Sequence, residues 1–134
     1  MKKSLTLIAV VVLLVVVSAV VFTACMPSDP TKAEKKFKDA DYSVHLADTN
    51  AENIAAAAVI NLLVKIEGGV TASLTASNGK YSAEVVWFEK SSDAKTYEKF
   101  LKSKQSDDDT TYIKRDGKAV FVGDKEAYKF KKAD

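Results

Sequence analysis

The feature that most constrains the fold of this 134-residue chain is a segment of alternating apolar and polar residues that ends at Asn78-Gly79. From Val70 to Ser77, apolar residues alternate with threonine and serine, which is typical of a strand with one buried side. Asn-Gly is the strongest short signal for a two-residue hairpin turn. Residues 80–90 then return as a second strand, and Val86 and Phe88 predict that its end is covered on both sides. The sequence therefore predicts a central β-hairpin.

Further strands are predicted on either side of this hairpin. Residues 41–47 alternate between apolar and polar side chains, and the larger apolar ones would lie on one side of a strand (Tyr42, Val44 and Leu46). Residues 110–122 predict a second hairpin, because Asp116-Gly117 interrupts two strand-like segments in the way a type I′ turn does.

Four segments predict helices, because their apolar residues recur every three or four positions. Capping boxes precede the first two, Thr31-Lys-Ala-Glu34 and Thr49-Asn-Ala-Glu52. In the second helix, residues 54–66, one face is predicted to carry Ile54, Ala55, Ala58, Leu62 and Ile66. Gly68-Gly69 is the expected stop, although residues 59–66 would also suit a strand. The first helix ends near residue 40, with Ala33, Phe37 and Ala40 on one face. The third follows a cap at residues 91–93 and ends near residue 105, and the fourth covers residues 125–131.

The order of these elements predicts an α+β fold. A ferredoxin-like βαββαβ core carries an added C-terminal β-hairpin and short terminal helices. Both long helices are expected on one face of an antiparallel sheet, since crossover connections are right-handed. Tyr81 and Trp87 have the same parity and form a possible ligand face. They lie either in the sheet–helix core or on the open face of the sheet.

The beginning of the chain predicts export. Lys2 and Lys3 precede Leu5–Ala24, a run of 20 residues without a charge, which has the order of a secretory signal peptide. Such a run is also long enough to span a bilayer, so an uncleaved single-pass anchor is the alternative, and free secretion is a third. Phe22-Thr-Ala-Cys25 resembles the lipobox of bacterial lipoproteins. The resemblance implies cleavage before Cys25, diacylation of its thiol, and anchoring at the outer face of the cytoplasmic membrane.

This interpretation divides the chain into a signal peptide (residues 1–24), a lipidated cysteine with a short tether (residues 25–31) and a single α+β domain (residues 32–134). Cys25 is the only cysteine, so an intrachain disulfide is excluded. Removal of Lys2 and Lys3 leaves 18 basic and 18 acidic residues, and a neutral domain is a poor match for nucleic acid. Lysines near both ends of the domain are expected to face the membrane (Lys32, Lys35, Lys36, Lys38, Lys125, Lys129, Lys131 and Lys132).

The sequence offers little for catalysis. His45 is the only histidine, and a zinc site or a general base would need partners that the chain lacks. Glu84 and Glu89 have opposite parity on one predicted strand, which weakens a paired-carboxylate mechanism. Asp107-Asp-Asp109 lacks the alternating ligands of a calcium loop and predicts a solvated connection. We expect no catalytic residues, no cofactor and no metal site.

Three short motifs in the domain are similar to those of small, uncharacterised membrane lipoproteins of Gram-positive bacteria. They are Phe88-Glu89 at the end of a strand, Asp93-Ala94 at a helix start, and Gly-Asp-Lys-Glu-Ala at residues 123–127. The resemblance implies a location and no activity. The sequence thus favours a membrane-anchored, non-catalytic domain that binds a protein or a small molecule. The alternatives are an envelope structural or stress protein without a ligand, and an accessory enzyme that uses carboxylates.

Overall fold

A computed structural model describes residues 25–134, and the predicted signal peptide lies outside the described residues. Residues 25–134 form four helices and five strands. In chain order these are α1 (Pro30–Asp39), β1 (Ser43–Ala47), α2 (Asn50–Leu63), β2 (Val70–Ser77), β3 (Ser82–Phe88), α3 (Ser91–Ser103), β4 (Tyr112–Asp116), β5 (Ala119–Gly123) and α4 (Lys125–Tyr128). The predicted α+β class and the predicted succession of helices and strands are confirmed.

The five strands form one antiparallel sheet in the order β1-β2-β3-β5-β4. The two predicted hairpins supply four of these strands, and β3 pairs with β5 where the hairpins meet. The succession of elements is that of a ferredoxin-like α+β fold extended by a hairpin. In the strand order, however, β1 lies at an edge and pairs directly with β2, with Ala47 opposite Ser73. This pairing arises because α2 and residues 64–69 lead the chain back to the end of the sheet where β1 finishes.

One side of the sheet, the terminal-helix face, is covered by α1 and α4. Phe37 of α1 and Phe121 of β5 are fully buried in one cluster with Tyr128 of α4. The predicted stripe of α1 is confirmed, because Ala33, Phe37 and Ala40 are all buried. The sequence allowed this side of the sheet to be open. It is instead covered, since the short terminal helices carry aromatic rings that pack on it.

The opposite side, the long-helix face, is covered by α2 and α3, as predicted. Its buried cluster is smaller and contains Ile60 of α2 and Tyr97 of α3 together with Val86, Phe88 and Val120 of the strands. The end of β3 is therefore buried on both sides, which confirms the expectation from residues 86 and 88.

Helix α2 begins at its predicted capping box. The Glu52 N–H donates to Thr49 Oγ1 at 3.2 Å, and the Thr49 N–H donates to Glu52 Oε1 at 3.2 Å. The predicted end is wrong, because the helix stops at Leu63 and Gly68-Gly69 lies beyond its extended C-cap, Val64. The buried face is also opposite to the predicted one, since Ile60 is buried whereas four residues of the predicted stripe are exposed (Ile54, Ala55, Ala58 and Leu62).

Asn53, on the inner side of α2, contributes to this orientation. Its Nδ2 donates to the carbonyl of Thr71 in β2 at 2.8 Å, whereas Asn61 is exposed and its Oδ1 accepts locally from the Ile66 N–H at 2.9 Å, beyond the end of the helix. Apolar residues surround α2 on nearly every side, so their spacing alone could not choose the buried face.

The other helix caps and turns differ from prediction by small shifts. Asp29 caps α1 by accepting from the Thr31 N–H at 2.9 Å, so Thr31 is not the N-cap, although Pro30 opens the helix as expected. Helix α3 has Lys90 as its N-cap, without a side-chain hydrogen bond. The first hairpin turns over four residues, 78–81, and not over two, because Ser77 pairs with Ser82 and β3 begins there. The second hairpin turns at Gly117-Lys118, one residue later than predicted. No helix within residues 25–134 is both long and apolar enough to cross a bilayer.

Candidate functional site

An open groove of about 650 Å³ lies at the end of the sheet where β2 begins and β3 finishes. Its wall includes Thr71, Trp87 and Glu89, and the β4–β5 turn adds Asp116 and Lys118. Binding sites for small molecules commonly have volumes of about 300–1,000 Å³ and combine apolar walls with a few polar groups. The groove has both properties. We therefore take it as the candidate binding site.

The N-terminal segment of the domain forms part of this groove. The Met26 side chain is only 4% exposed, and its N–H donates to Asp116 Oδ2 at 3.0 Å. The Trp87 Nε1 donates to the carbonyl of Pro27 at 3.0 Å, and Ser28 lines the groove. The segment predicted as a short tether is packed on the domain, because Met26 joins the core of the terminal-helix face.

This packing leaves Cys25 exposed at the domain surface, directly before a buried residue. Cys25 lies near Tyr128 of α4, whose hydroxyl donates to Asp116 Oδ2 at 2.6 Å. Burial, followed by the interactions with the Asp116 carboxylate, raises the pKa of Tyr128 far above its ordinary value. One carboxylate oxygen thus connects the start of the domain, α4 and the β4–β5 hairpin.

Asp93 is the residue of this region that the sequence analysis assigned wrongly. It is the one charged residue buried within residues 25–134, at 3% exposure. Its carboxylate does not cap α3. It accepts from the Glu67 N–H at 2.9 Å and from the Gly68 N–H at 2.7 Å. Glu89 Oε1 likewise accepts from the Gly69 N–H at 3.1 Å.

These bonds explain the first of the two glycines that were predicted to stop α2. A Cβ added to Gly68 would lie 3.2 Å from Asp93 Oδ2, closer than an ordinary contact, so glycine lets the backbone approach this carboxylate. A Cβ on Gly69 would make only ordinary contacts with Glu89. No local pattern signals this arrangement, since residues 67–69 and Asp93 are about 25 positions apart.

Tyr81 and Trp87 share the terminal-helix face but do not form one site. Tyr81 immediately precedes β3 and Trp87 is near its end, so they are separated by about 20 Å of strand. Trp87 is 2% exposed and contributes to the groove wall. Tyr81 is half-buried near the first hairpin turn, with Lys80 Nζ 5.4 Å from its ring centroid.

The other candidate residues also lie apart from one another. His45 is exposed on the sheet, with its Nε2 3.9 Å from Glu52 Oε2, and it does not line the groove. Glu84 is exposed on the long-helix face near Tyr97, where burial, followed by the charge of Glu84, raises the pKa of the tyrosine. Glu89 lies in the groove wall, so the two glutamates belong to different surfaces.

Residues 107–109 form an exposed connection between α3 and β4, as predicted. Asp109 Oδ1 accepts from the Thr111 N–H at 2.8 Å, and this hydrogen bond lowers the pKa of Asp109. Within residues 25–134, no group of three or more His, Cys, Asp or Glu side chains is placed to hold a metal ion.

Comparisons with protein families, with curated proteins and with solved structures find no match for this chain.

Proposed function

We propose that the chain is an extracytoplasmic lipoprotein, anchored through a diacylglyceryl group on Cys25, whose domain binds a partner without catalysing a reaction. The observation that carries the proposal is the position of Cys25. It is exposed, it follows a lipobox-like sequence, and the next residue is already part of the folded core. A lipid attached there would hold the domain against the bilayer with almost no intervening chain.

The distribution of lysines supports an orientation in which both ends of the domain face the membrane. Helix α1 carries four lysines, and Lys36 Nζ lies 5.5 Å from the ring centroid of Phe130, next to the C-terminal lysines. The two basic ends of the domain are therefore neighbours in space. Lysines close to an anionic leaflet each add about 1 kcal/mol of attraction, although ion pairs such as Lys35–Asp39 at 3.0 Å reduce the contribution of some.

The groove supports a binding role over a purely structural one. It brings Glu89, Asp116 and Lys118 together at one end of the sheet, where their charges would orient a polar ligand. The separation of Glu84 from Glu89 and the distance of His45 from the groove give no support to an accessory enzyme.

The anchor is tested by mass spectrometry of the mature N-terminus and by partition of the full chain between detergent and aqueous phases. We expect the wild-type chain to begin at a diacylated Cys25 and to enter the detergent phase. Cys25→Ser should lose both properties. The double variant Cys25→Ser, Ser43→Cys is the matched control, because it moves the only thiol to an exposed strand position outside the lipobox. An intact Met1 or an unmodified Cys25 thiol would contradict the proposal.

The binding role is tested by crosslinking the anchored protein in its membrane and comparing the captured species with those from a groove variant. Lys118→Glu changes the charge of the groove at an exposed turn position. We expect this variant to lose a crosslinked species that Lys114→Glu, on the neighbouring strand, retains. Identical crosslinking patterns for the two variants would argue against the groove as the binding site.

A further inference from the structure

A second, smaller cleft of about 220 Å³ lies on the long-helix face, between α2 and α3. Helix α2 packs on β2, whereas α3 packs on β3, β4 and β5, and the cleft opens between the two helices over the sheet. None of its lining residues belongs to the groove at the end of the sheet. The α2–α3 cleft is therefore a separate candidate site.

The wall that α2 contributes to this cleft is apolar. Val59 and Leu63 line it and are 59% and 54% exposed, although a surface helix ordinarily turns polar residues outward. No charged residue occurs from Asn53 to Val64, so the helix brings no charge to the cleft. Aliphatic side chains that are exposed at the wall of a cleft indicate a site for an apolar group.

The sheet and α3 contribute polar side chains to the same cleft. Ser73 of β2 and Glu84 of β3 are diagonal neighbours on the sheet, because Ser73 lies opposite Val86 and Glu84 lies opposite Thr75. Tyr97 of α3 lies close enough to Glu84 that the glutamate charge, after burial, contributes to the raised pKa of the tyrosine. One carboxylate and two hydroxyl groups therefore line the α2–α3 cleft.

These three polar groups have no partner within residues 25–134. In this part of the chain, the side chains of Ser73, Glu84 and Tyr97 make no hydrogen bond and no ion pair, and none of their oxygens is sealed from solvent. Glu98 of α3 shows the contrast, because Lys102 Nζ lies 3.0 Å and Arg115 Nε 3.2 Å from its carboxylate oxygens. The charge of Glu84 is thus available to a ligand.

An apolar wall beside a single unpaired carboxylate favours one ligand chemistry. A primary ammonium group carries three N–H donors, and the cleft offers three side chains with acceptor oxygens. An aliphatic chain attached to the ammonium would lie along Val59 and Leu63. A carboxylate or a phosphate would be repelled by Glu84, and a neutral molecule would leave its charge unpaired. The volume of about 220 Å³ is below the range of drug-sized ligands, so the ligand must be small.

We propose that the α2–α3 cleft binds a small aliphatic amine, whose ammonium group donates to Glu84, Tyr97 and Ser73 and whose chain packs against α2. This site goes beyond the proposed function, because it shares no residue with the groove or with the anchored segment. It depends neither on lipidation of Cys25 nor on a partner in the groove.

The experiment titrates the full chain in phosphatidylcholine nanodiscs with n-butylammonium chloride, and follows the methyl NMR signals of Val59 and Val86, which both line the cleft. We expect shifts that saturate at millimolar concentration, since so small a ligand binds weakly. 1-Butanol has the same chain without the charge and should give small shifts that do not saturate. No saturable shift with butylammonium, or equal saturation by butanol, would overturn the proposal.

Two variants of the polar groups test how the ammonium is held. Glu84→Gln should raise the dissociation constant of butylammonium about tenfold, because a hydrogen bond to a charged group is lost. Tyr97→Phe should raise it several-fold. Glu126→Gln is the matched control and should leave it unchanged, because Glu126 is an exposed carboxylate on α4, on the other side of the sheet. Equal dissociation constants for Glu84→Gln and the wild type would refute the site.

Two neighbouring leucines test how the chain is held. Leu63 lines the cleft, whereas Leu62 is 85% exposed and does not line it. Leu63→Ala should therefore weaken the binding of butylammonium several-fold, and Leu62→Ala should leave it unchanged. Both side chains are exposed, so neither change disturbs the core. The same loss for both variants would exclude α2 as the wall that holds the chain.

A last titration separates a small amine from a lysine side chain of a partner protein. Nα-acetyl-lysine amide carries the same ammonium group and chain on a peptide unit, for which the cleft has little room. We expect it to bind more weakly than butylammonium. Tighter binding would overturn the small amine in favour of a protein lysine. A negative result in any of these titrations leaves the anchor and the groove unaffected, since they are tested by other variants.

Discussion

The two faces of the sheet differ in how much of their covering helices they bury. The terminal-helix face buries fifteen residues beneath a ten-residue helix and a four-residue helix, and aromatic rings form much of its contact. The long-helix face buries eight residues beneath the two longest helices, because α2 turns much of its apolar surface to solvent. Helix length is therefore a poor guide to which side of this sheet stabilises the fold.

The neighbouring residues Phe121 and Val120 of β5 compare the two faces most directly, since they are both fully buried and point to opposite sides. We expect Phe121→Ala to lower the free energy of unfolding by about 4 kcal/mol, because it removes a ring from the aromatic cluster. Val120→Ala removes two methyl groups and should cost about 2 kcal/mol. Urea denaturation followed by the fluorescence of Trp87 measures both. Equal losses would contradict the contrast between the faces.

Tyr128 tests the contact that joins the terminal-helix face to the N-terminal segment. Its hydroxyl donates to Asp116 Oδ2, and we expect Tyr128→Phe to cost about 2 kcal/mol at neutral pH, because a hydrogen bond to a charged group is lost. Tyr112→Phe, at a half-buried tyrosine of the same aromatic cluster, is the control and should cost less.

The contribution of Tyr128 to the free energy of unfolding should fall at alkaline pH. The pKa of Tyr128 is raised in the folded state, so its contribution is fully present below the unfolded pKa of about 10 and is lost as the pH rises above it. The difference in unfolding free energy between the wild type and Tyr128→Phe should therefore shrink above pH 10. A difference that stays constant up to pH 12 would refute this explanation.

Asp93 makes the corresponding polar contact on the long-helix face, at the start of α3. We expect Asp93→Asn to cost about 1.5 kcal/mol, since the amide can turn only one acceptor toward the N–H groups of Glu67 and Gly68. Hydrogen exchange should become faster at Gly68 and change little at Met26. Asp107→Asn, in an exposed loop, is the control and should stay within about 0.5 kcal/mol of the wild type.

The smallest effect is expected on the outer side of α2. Leu62 is 85% exposed, so Leu62→Gln should change the free energy of unfolding by less than about 0.5 kcal/mol. Ile60→Ala, two residues away on the buried side, should cost about 3 kcal/mol. Urea denaturation of each variant measures both changes. A large loss for Leu62→Gln would mean that α2 packs differently from the structure.

The strands were the most predictable part of the fold. Alternation in β2 and the Asn78-Gly79 turn are local properties, and each determines its own geometry. Gly79 has a φ of +88°, a conformation that glycine adopts without strain, so the place of the turn could be inferred from Asn78-Gly79, whereas its length of four residues could not. The capping box at Thr49 and the stripe of α1 were predictable for the same reason.

The candidate site was less predictable, because its contacts join distant residues. The groove brings Ser28 to Trp87, and Asp116 receives hydrogen bonds from Met26 and Tyr128. The sequence singled out Trp87 but missed Asp116 and Asp93, since a carboxylate that accepts backbone N–H groups from another segment has no local pattern.

By itself, the sequence determined the α+β class, the succession of elements and the residues that alternate across each strand, because these depend on neighbours within a few positions. Only the tertiary structure decided which side of α2 is buried, how the terminal helices cover the sheet, and that the chain is packed on the domain from Met26 onward. The physical reason is that these features depend on contacts between residues that are distant in the sequence. A helix that is apolar on almost every side can bury any of its faces, and only the packing against the sheet selects one.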